Sequence, residues 1–184
     1  MGSTLVRLRA GDPPAHTLSL VAGLATFAAI EAVASGIDTL SLKWPNDLLL
    51  GEAKLAGILL ERCGDAVVIG IGVNLAGAPD VPGRAATSLA DAGFVVSRDA
   101  FARALETCWS QAVQRWRSGG WDQLRADWTR RAHPLGAPIS VHGADGTVLR
   151  GTFAGLGDDG ALQLQLPNGT RQIIHAGEVS LDRR

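Results

Sequence analysis

Between Lys43 and Asn74 the chain reads KWPNDLLLGEAKLAGILLERCGDAVVIGIGVN. The runs LLL, LAGILL and AVVIGIG are dense in strand formers. Lys43, Asn46, Asp47 and Lys54 nevertheless stand inside or beside them. Buried strands stay apolar or alternate, so polar groups placed this way need a reason. Any fold that this segment adopts has to gather two ammoniums, a carboxylate and an amide around one apolar sheet.

The local geometry follows from the residue types. Pro45 has no N–H and biases Trp44 away from helix, so Trp44-Pro45-Asn46 reads as a corner after a strand at Thr39–Lys43. Leu48–Leu50 restarts a strand, Gly51-Glu52-Ala53 turns, and Lys54–Glu61 returns as the second arm of a hairpin. This sets Lys54 opposite about Leu50 and Gly57 opposite about Asp47. Whether Lys54 and Asp47 share a face depends on the corner and on any bulge. Ala66–Gly72 forms the next strand. Gly70 and Gly72 share one of its faces, which either leaves bare backbone for a flat ligand or allows close packing of a helix. Asn74 offers donors and acceptors at the strand end.

Three ordered motifs carry a resemblance: Lys43-Trp44-Pro45-Asn46-Asp47, then Lys54-Leu55-Ala56-Gly57-Ile58-Leu59, then Gly70-Ile71-Gly72-Val73-Asn74. Together they resemble the signature of the biotin protein ligases, and the match runs from the first strand to the C-terminus. Family members also carry, ahead of the strand matching Ser3–Arg9, a Ser-Thr-Asn element and a glycine- and arginine-rich loop over biotin and the adenylate phosphate. No segment here matches that loop. The expectation is a fragment, a misplaced start or a truncated relative.

The resemblance implies an activity. Family members make biotinyl-5'-AMP from biotin and ATP and pass the biotin to a lysine of a biotin carboxyl carrier protein. It implies that Lys54 contacts the biotin carboxylate and phosphate region. Gly57, Ile58 and Leu59 line the biotin pocket, and Gly70, Gly72 and Val73 form a strip for the ring or tail. Asn74 bonds adenine. Asn46 and Asp47 orient the phosphates, with Mg²⁺ held through phosphate and Asp47, or else they close a turn. Asp47 is also a candidate base for the second step. Lys43 pairs with Asp47 rather than with ligand. The alternative reading is a truncated, non-catalytic homologue that binds a carrier or a subunit.

The bulk properties exclude some classes. The chain has 184 residues, 46% hydrophobic and 19% charged, enough for a sizeable core. A net charge of −1 gives no electrostatic case for nucleic acid. Cys63 and Cys108 read as reduced structural thiols, with no zinc spacing and no secretory signal, in keeping with the cytoplasm. Leu18–Ala34 is apolar but short of the ~20 residues of a membrane span, and it is interrupted by Gly23 and Glu31. It reads as a buried core helix, so no membrane partner is expected. A homodimer is left open.

Elsewhere, Thr4–Arg9 alternates like a strand, with Arg7 and Arg9 on a solvated face or facing ligand. A helix is expected from about His16 to Ser35, closed by Gly36 and capped by Asp12 or Thr17. His16 reads as a surface or capping residue. Leu75–Ala86 is a loop that could border the nucleotide. Ser97 caps a helix carrying the stripe Phe101, Leu105, Cys108, Ala112 and Trp116, and Trp121, Leu124 and Trp128 mark a third. The tryptophans read as core, and Arg125, Arg130 and Arg131 as a solvated face. After His133-Pro134 come five short strands separated by glycine-containing turns, among them Gly157-Asp158-Asp159-Gly160. They imply a small barrel that resembles the SH3-like domain of the same family. The expected fold is α+β: residues 1–134 a partial catalytic core with a mixed sheet, residues 135–184 the SH3-like unit.

Overall fold

The structure is a computed structural model and describes residues 1–143 and 145–181. Five strands form the first sheet: β1 (Gly2–Arg7), β2 (Leu40–Lys43), β3 (Asp47–Leu50), β4 (Ala53–Cys63) and β5 (Ala66–Val73). Their order is β1-β5-β4-β3-β2 and every pairing is antiparallel, so the sheet is not mixed. Each neighbour but β1 is reached by a corner or tight turn. That is why the segment 43–74 is the sheet's organising stretch.

One face of this sheet is covered by α1 (Leu18–Val33), which follows a 3-10 turn at Ala15–Thr17. The helix is apolar on almost all sides because it is enclosed on almost all sides. The sheet lies beneath it, and α2 (Arg98–Arg117) and α3 (Trp121–Arg131) pack on its other flanks. Ala15–Val33 has the length and composition of a membrane span, yet most of it is buried within the protein. At Gly23 a Cβ would stand 3.3 Å from Leu42 and 3.6 Å from the Trp128 indole nitrogen, so the small residue sets the close helix–sheet approach.

Neither expected cap serves α1. Thr17 is fully buried and donates to the Pro14 carbonyl while accepting from the Trp116 indole. Asp12 binds the Arg9 amide and the Arg117 guanidinium instead. Ser97 does cap α2, accepting from the Ala100 amide at 3.2 Å.

The second sheet holds β6 (Pro138–His142), β7 (Val148–Leu156), β8 (Leu162–Gln165), β9 (Arg171–Ile174) and β10 (Glu178–Leu181), in the order β10-β6-β7-β8-β9. Glycine-containing turns make these hairpins, as their spacing predicts. Both sheets and the three helices share one continuous apolar cluster, from Val6 to Val179. The architecture is α+β.

Candidate functional site

Register places the site. Directly opposed residues of antiparallel strands point to the same side. Asp47 faces Gly57, and Gly57 faces Gly72, so these three form a row across β3, β4 and β5. Beside it runs a second row, Leu59, Gly70 and Ser3. Both rows lie on the face away from α1, where Leu59 is exposed, while Ile58 and Ile71 on the opposite face are buried.

Strict alternation would put Lys54 on the buried side, three residues from Gly57. A register shift between Leu48 and Leu49 prevents this and pairs Lys54 with Leu49, one residue from the position the hairpin spacing suggests. Bulges re-aim side chains in this way. Lys54 thereby reaches across Gly57 and its Nζ contacts Asp47 Oδ1. Lys43 Nζ lies 3.8 Å from the other oxygen. The Asp47 side chain is only 12% exposed, whereas that of Lys54 is 44% exposed and can still meet a ligand.

Gly57 borders the cleft and also makes room for Lys54. A Cβ there would stand 3.1 Å from both Cε and Nζ of Lys54, so its missing side chain is the space the lysine occupies. Gly70 and Gly72 have open faces, with nothing nearer than 3.8 Å to a Cβ built on either.

The corner that leads into the row is fixed from several sides. Asn46 is joined to Ile58 twice: its carbonyl accepts the Ile58 amide and its side chain donates to the Ile58 carbonyl, each at 2.8 Å. Ser19 of α1 donates to the Pro45 carbonyl. Asn74 donates its side-chain amide to the Thr87 carbonyl at 3.0 Å, holding down the loop after β5. That loop runs beside Lys54, whose backbone bonds Ala85 and Thr87. Arg84 at its tip pairs with Glu178 of β10 at 3.1 Å.

These groups border a cleft of about 540 Å³ lined by Asn46, Lys54, Gly57, Gly70, Gly72 and Asn74, a size that suits a small molecule. Ile58, Leu59 and Val73 line it too. The residues expected to meet ligand all border this cleft except Asp47, which stands behind Lys54 and, with Lys43 and Glu178, borders an adjoining hollow. Among the described residues no cluster of three His, Cys, Asp or Glu side chains could cage a metal.

Sequence reasoning missed several residues around the site. His133, after α3, is half-buried, with its Nε2 out of solvent and without a hydrogen-bond partner among the described residues. Desolvation, reinforced by the Lys43 charge, holds its imidazole below the ordinary value. Arg125 is not on a solvated face. It donates to the Leu156 carbonyl and pairs with Asp158. Arg131 lies over the Phe27 ring, 5.4 Å from its centre. Cys63 is exposed and Cys108 half-buried, and both are free.

Comparison with known proteins agrees with this geometry. Residues 4–74 match the Biotin/lipoate A/B protein ligase family, and residues 135–182 match the Biotin protein ligase C terminal domain. The biotin–[acetyl-CoA-carboxylase] ligase of Paracoccus denitrificans is 38% identical over 190 residues, covering 97% of this chain and 78% of that protein. The chain belongs to the biotin protein ligase family. A second biotin–[acetyl-CoA-carboxylase] ligase, from Mycobacterium tuberculosis, is 34% identical over 95% of this chain and 66% of its own length. The biotin protein ligase of Aquifex aeolicus in complex with biotin and ATP superposes with a TM-score of 0.82 at 25% identity, over 99% of this chain and 77% of that one. Membership in the biotin protein ligase family accounts for both sheets at once. The second one is the SH3-like unit that ligases of this family carry.

Proposed function

We propose that this protein is an ATP-dependent ligase that activates biotin as biotinyl-5'-AMP and transfers it to a lysine of a biotin carboxyl carrier protein, the biotin-bearing subunit of a carboxylase. The single observation that carries the reading is the Lys54 ammonium, aimed by Asp47 over Gly57 and beside the bare strip of Gly70 and Gly72.

In the first step a biotin carboxylate oxygen attacks the α-phosphorus of ATP, an acyl–phosphate bond forms and pyrophosphate leaves. Two anions must approach, and in a water-poor cleft that repulsion is severe. A fixed cation offsets it, and Lys54 is that cation. Asp47 orients Lys54, because both of its oxygens face ammonium groups. Asn46 frames the carboxylate end. The open glycine strip takes the apolar part of biotin, and Asn74 with the loop it holds borders the adenosine. Magnesium enters with the ATP phosphates as part of the substrate, while Asp47, outside the cleft with both oxygens facing ammonium groups, keeps to orienting Lys54. In the second step the carrier lysine amine attacks the acyl carbon, AMP departs, and the amine proton is released.

Two free thiols and a carboxylase carrier as acceptor fit a cytoplasmic protein. The exposed β1 edge leaves room for pairing with a second copy. The test is biotin-dependent exchange of labelled pyrophosphate into ATP, followed by labelling of an apo-carrier. Both must require biotin, and loss of Lys54 must abolish the first.

A further inference from the structure

The turn Gly157–Gly160 touches the first unit through backbone carbonyls, met by donors from α3, from the 3-10 turn before α1 and from the β2–β3 corner. Leu156 O, just before the turn, accepts from Arg125 at 3.0 Å. Asp158 O accepts from the Trp121 indole, and Asp159 O bonds His16 Nε2 at 2.8 Å. Gly160 O accepts the Trp44 indole N–H at 3.1 Å, and this bond is buried. The turn is closed internally by Asp159, whose carboxylate accepts the Ala161 amide at 3.0 Å. Gly160 cannot be replaced without movement. Its φ is +82°, and a Cβ would come within 2.9 Å of Leu20.

Of the four donors only Trp44 belongs to the site corner. The residues after it are bound in sequence to other elements: Pro45 O to Ser19, Asn46 to both polar atoms of Ile58, and Asp47 to Lys54 and Lys43. The corner therefore hangs between β4, α1 and one carbonyl of the second unit.

We propose that Trp44 and Gly160 are a positioning pair for the adenylation step: the C-terminal turn fixes the Trp44 indole, and through Asn46 and Asp47 this aims Lys54. Trp44 is a positioning residue that acts through its neighbours and needs no contact with substrate. The kinetic part of the inference rests on the ligase reading above; the structural part does not.

The experiment compares Trp44→Phe with Trp121→Phe in the whole protein. Both remove one indole bond to the same turn, but only the first lies on the corner. Trp44→Phe is expected to lower kcat/KM for biotin in pyrophosphate exchange on the order of 10-fold, since small misplacements are costly at a reacting centre. Trp121→Phe is expected to keep the wild-type value. In amide hydrogen exchange, the Ile58 N–H should lose protection in Trp44→Phe and keep it in Trp121→Phe. Gly160→Ala displaces the acceptor without altering Trp44 and should reproduce the Trp44→Phe pattern, which guards against a packing defect from the smaller ring. Equal losses in the Trp44 and Trp121 variants would overturn the proposal, because docking alone would then explain them. So would native kinetics and native Ile58 protection in Trp44→Phe. A wild type without exchange activity would end the ligase reading. Ile58 protection would then still decide whether the pair holds the corner.

Discussion

Lys54 lies across the bare face of Gly57 to meet Asp47, and no side chain larger than hydrogen at position 57 leaves that path clear. Gly57→Ala puts a methyl 3.1 Å from the lysine Cε and Nζ. The flexible stem has to give by a few tenths of an ångström, which displaces the ammonium from its place against Asp47 while the strand stays paired. Pyrophosphate exchange is expected to fall on the order of 10-fold, with unchanged circular dichroism. A native rate would show that Lys54 works from another position.

The open face at Gly72 leads to the opposite kind of effect. The nearest atom to a Cβ built there is the Gly57 carbonyl at 3.9 Å, so Gly72→Val costs the free protein little. The isopropyl group fills the strip that is proposed to take biotin. Titration calorimetry should show biotin affinity reduced by at least about 10-fold, the equivalent of ~1.4 kcal/mol. Unchanged affinity would place the ring elsewhere.

Asn74 links the end of β5 to the following loop through the Thr87 carbonyl. Asn74→Ala removes the partly buried donations to the Thr87 and, at 3.5 Å, the Lys54 carbonyls, a loss of about 1 kcal/mol for the shorter one. The released segment is the one that runs beside Lys54 through Ala85 and Thr87. Limited proteolysis should cut within residues 75–87 faster in the variant, and ATP should protect less than in wild type. Identical digestion would show that the loop is held by its other bonds.

His133 makes stability depend on pH. Its imidazole is held below the ordinary value by desolvation and by Lys43, so the unfolded chain binds the proton more readily. The neutral, desolvated form contributes stability that is complete above the unfolded value of ~6.5 and is lost as pH falls through the folded one. Chemical denaturation should give a midpoint that declines below about pH 6.5 in wild type, and less so in His133→Gln. Parallel curves for the two proteins would remove His133 as the source.

Much of this arrangement was legible in the residue order. Pro45 announced the corner, and Asp47 opposite Gly57 followed from counting through the hairpin, whereas the glycine pair at 70 and 72 fitted an open strip and close helix packing alike until the structure showed both faces bare. Lys54 could not be placed that way. A single register shift after Leu48 reverses which face it meets, and nothing in LLLGEAK marks a bulge. Arg125 and the Gly157–Gly160 turn were misread or underread for a related reason. Their partners are 31 or more residues away, and local periodicity carries no information about contacts at that range. His133 was unreadable because its shift comes from desolvation and from the charge of Lys43, 90 residues earlier in the chain.

The most direct measurement is biotin-dependent ATP–pyrophosphate exchange by the purified protein with Mg²⁺, run beside Lys54→Ala. The account predicts exchange that requires biotin and falls by about 10²-fold or more in a Lys54→Ala variant that remains folded. A folded wild type without exchange, or a Lys54→Ala variant with the wild-type rate, would contradict it. The first outcome would point to a non-catalytic carrier-binding relative.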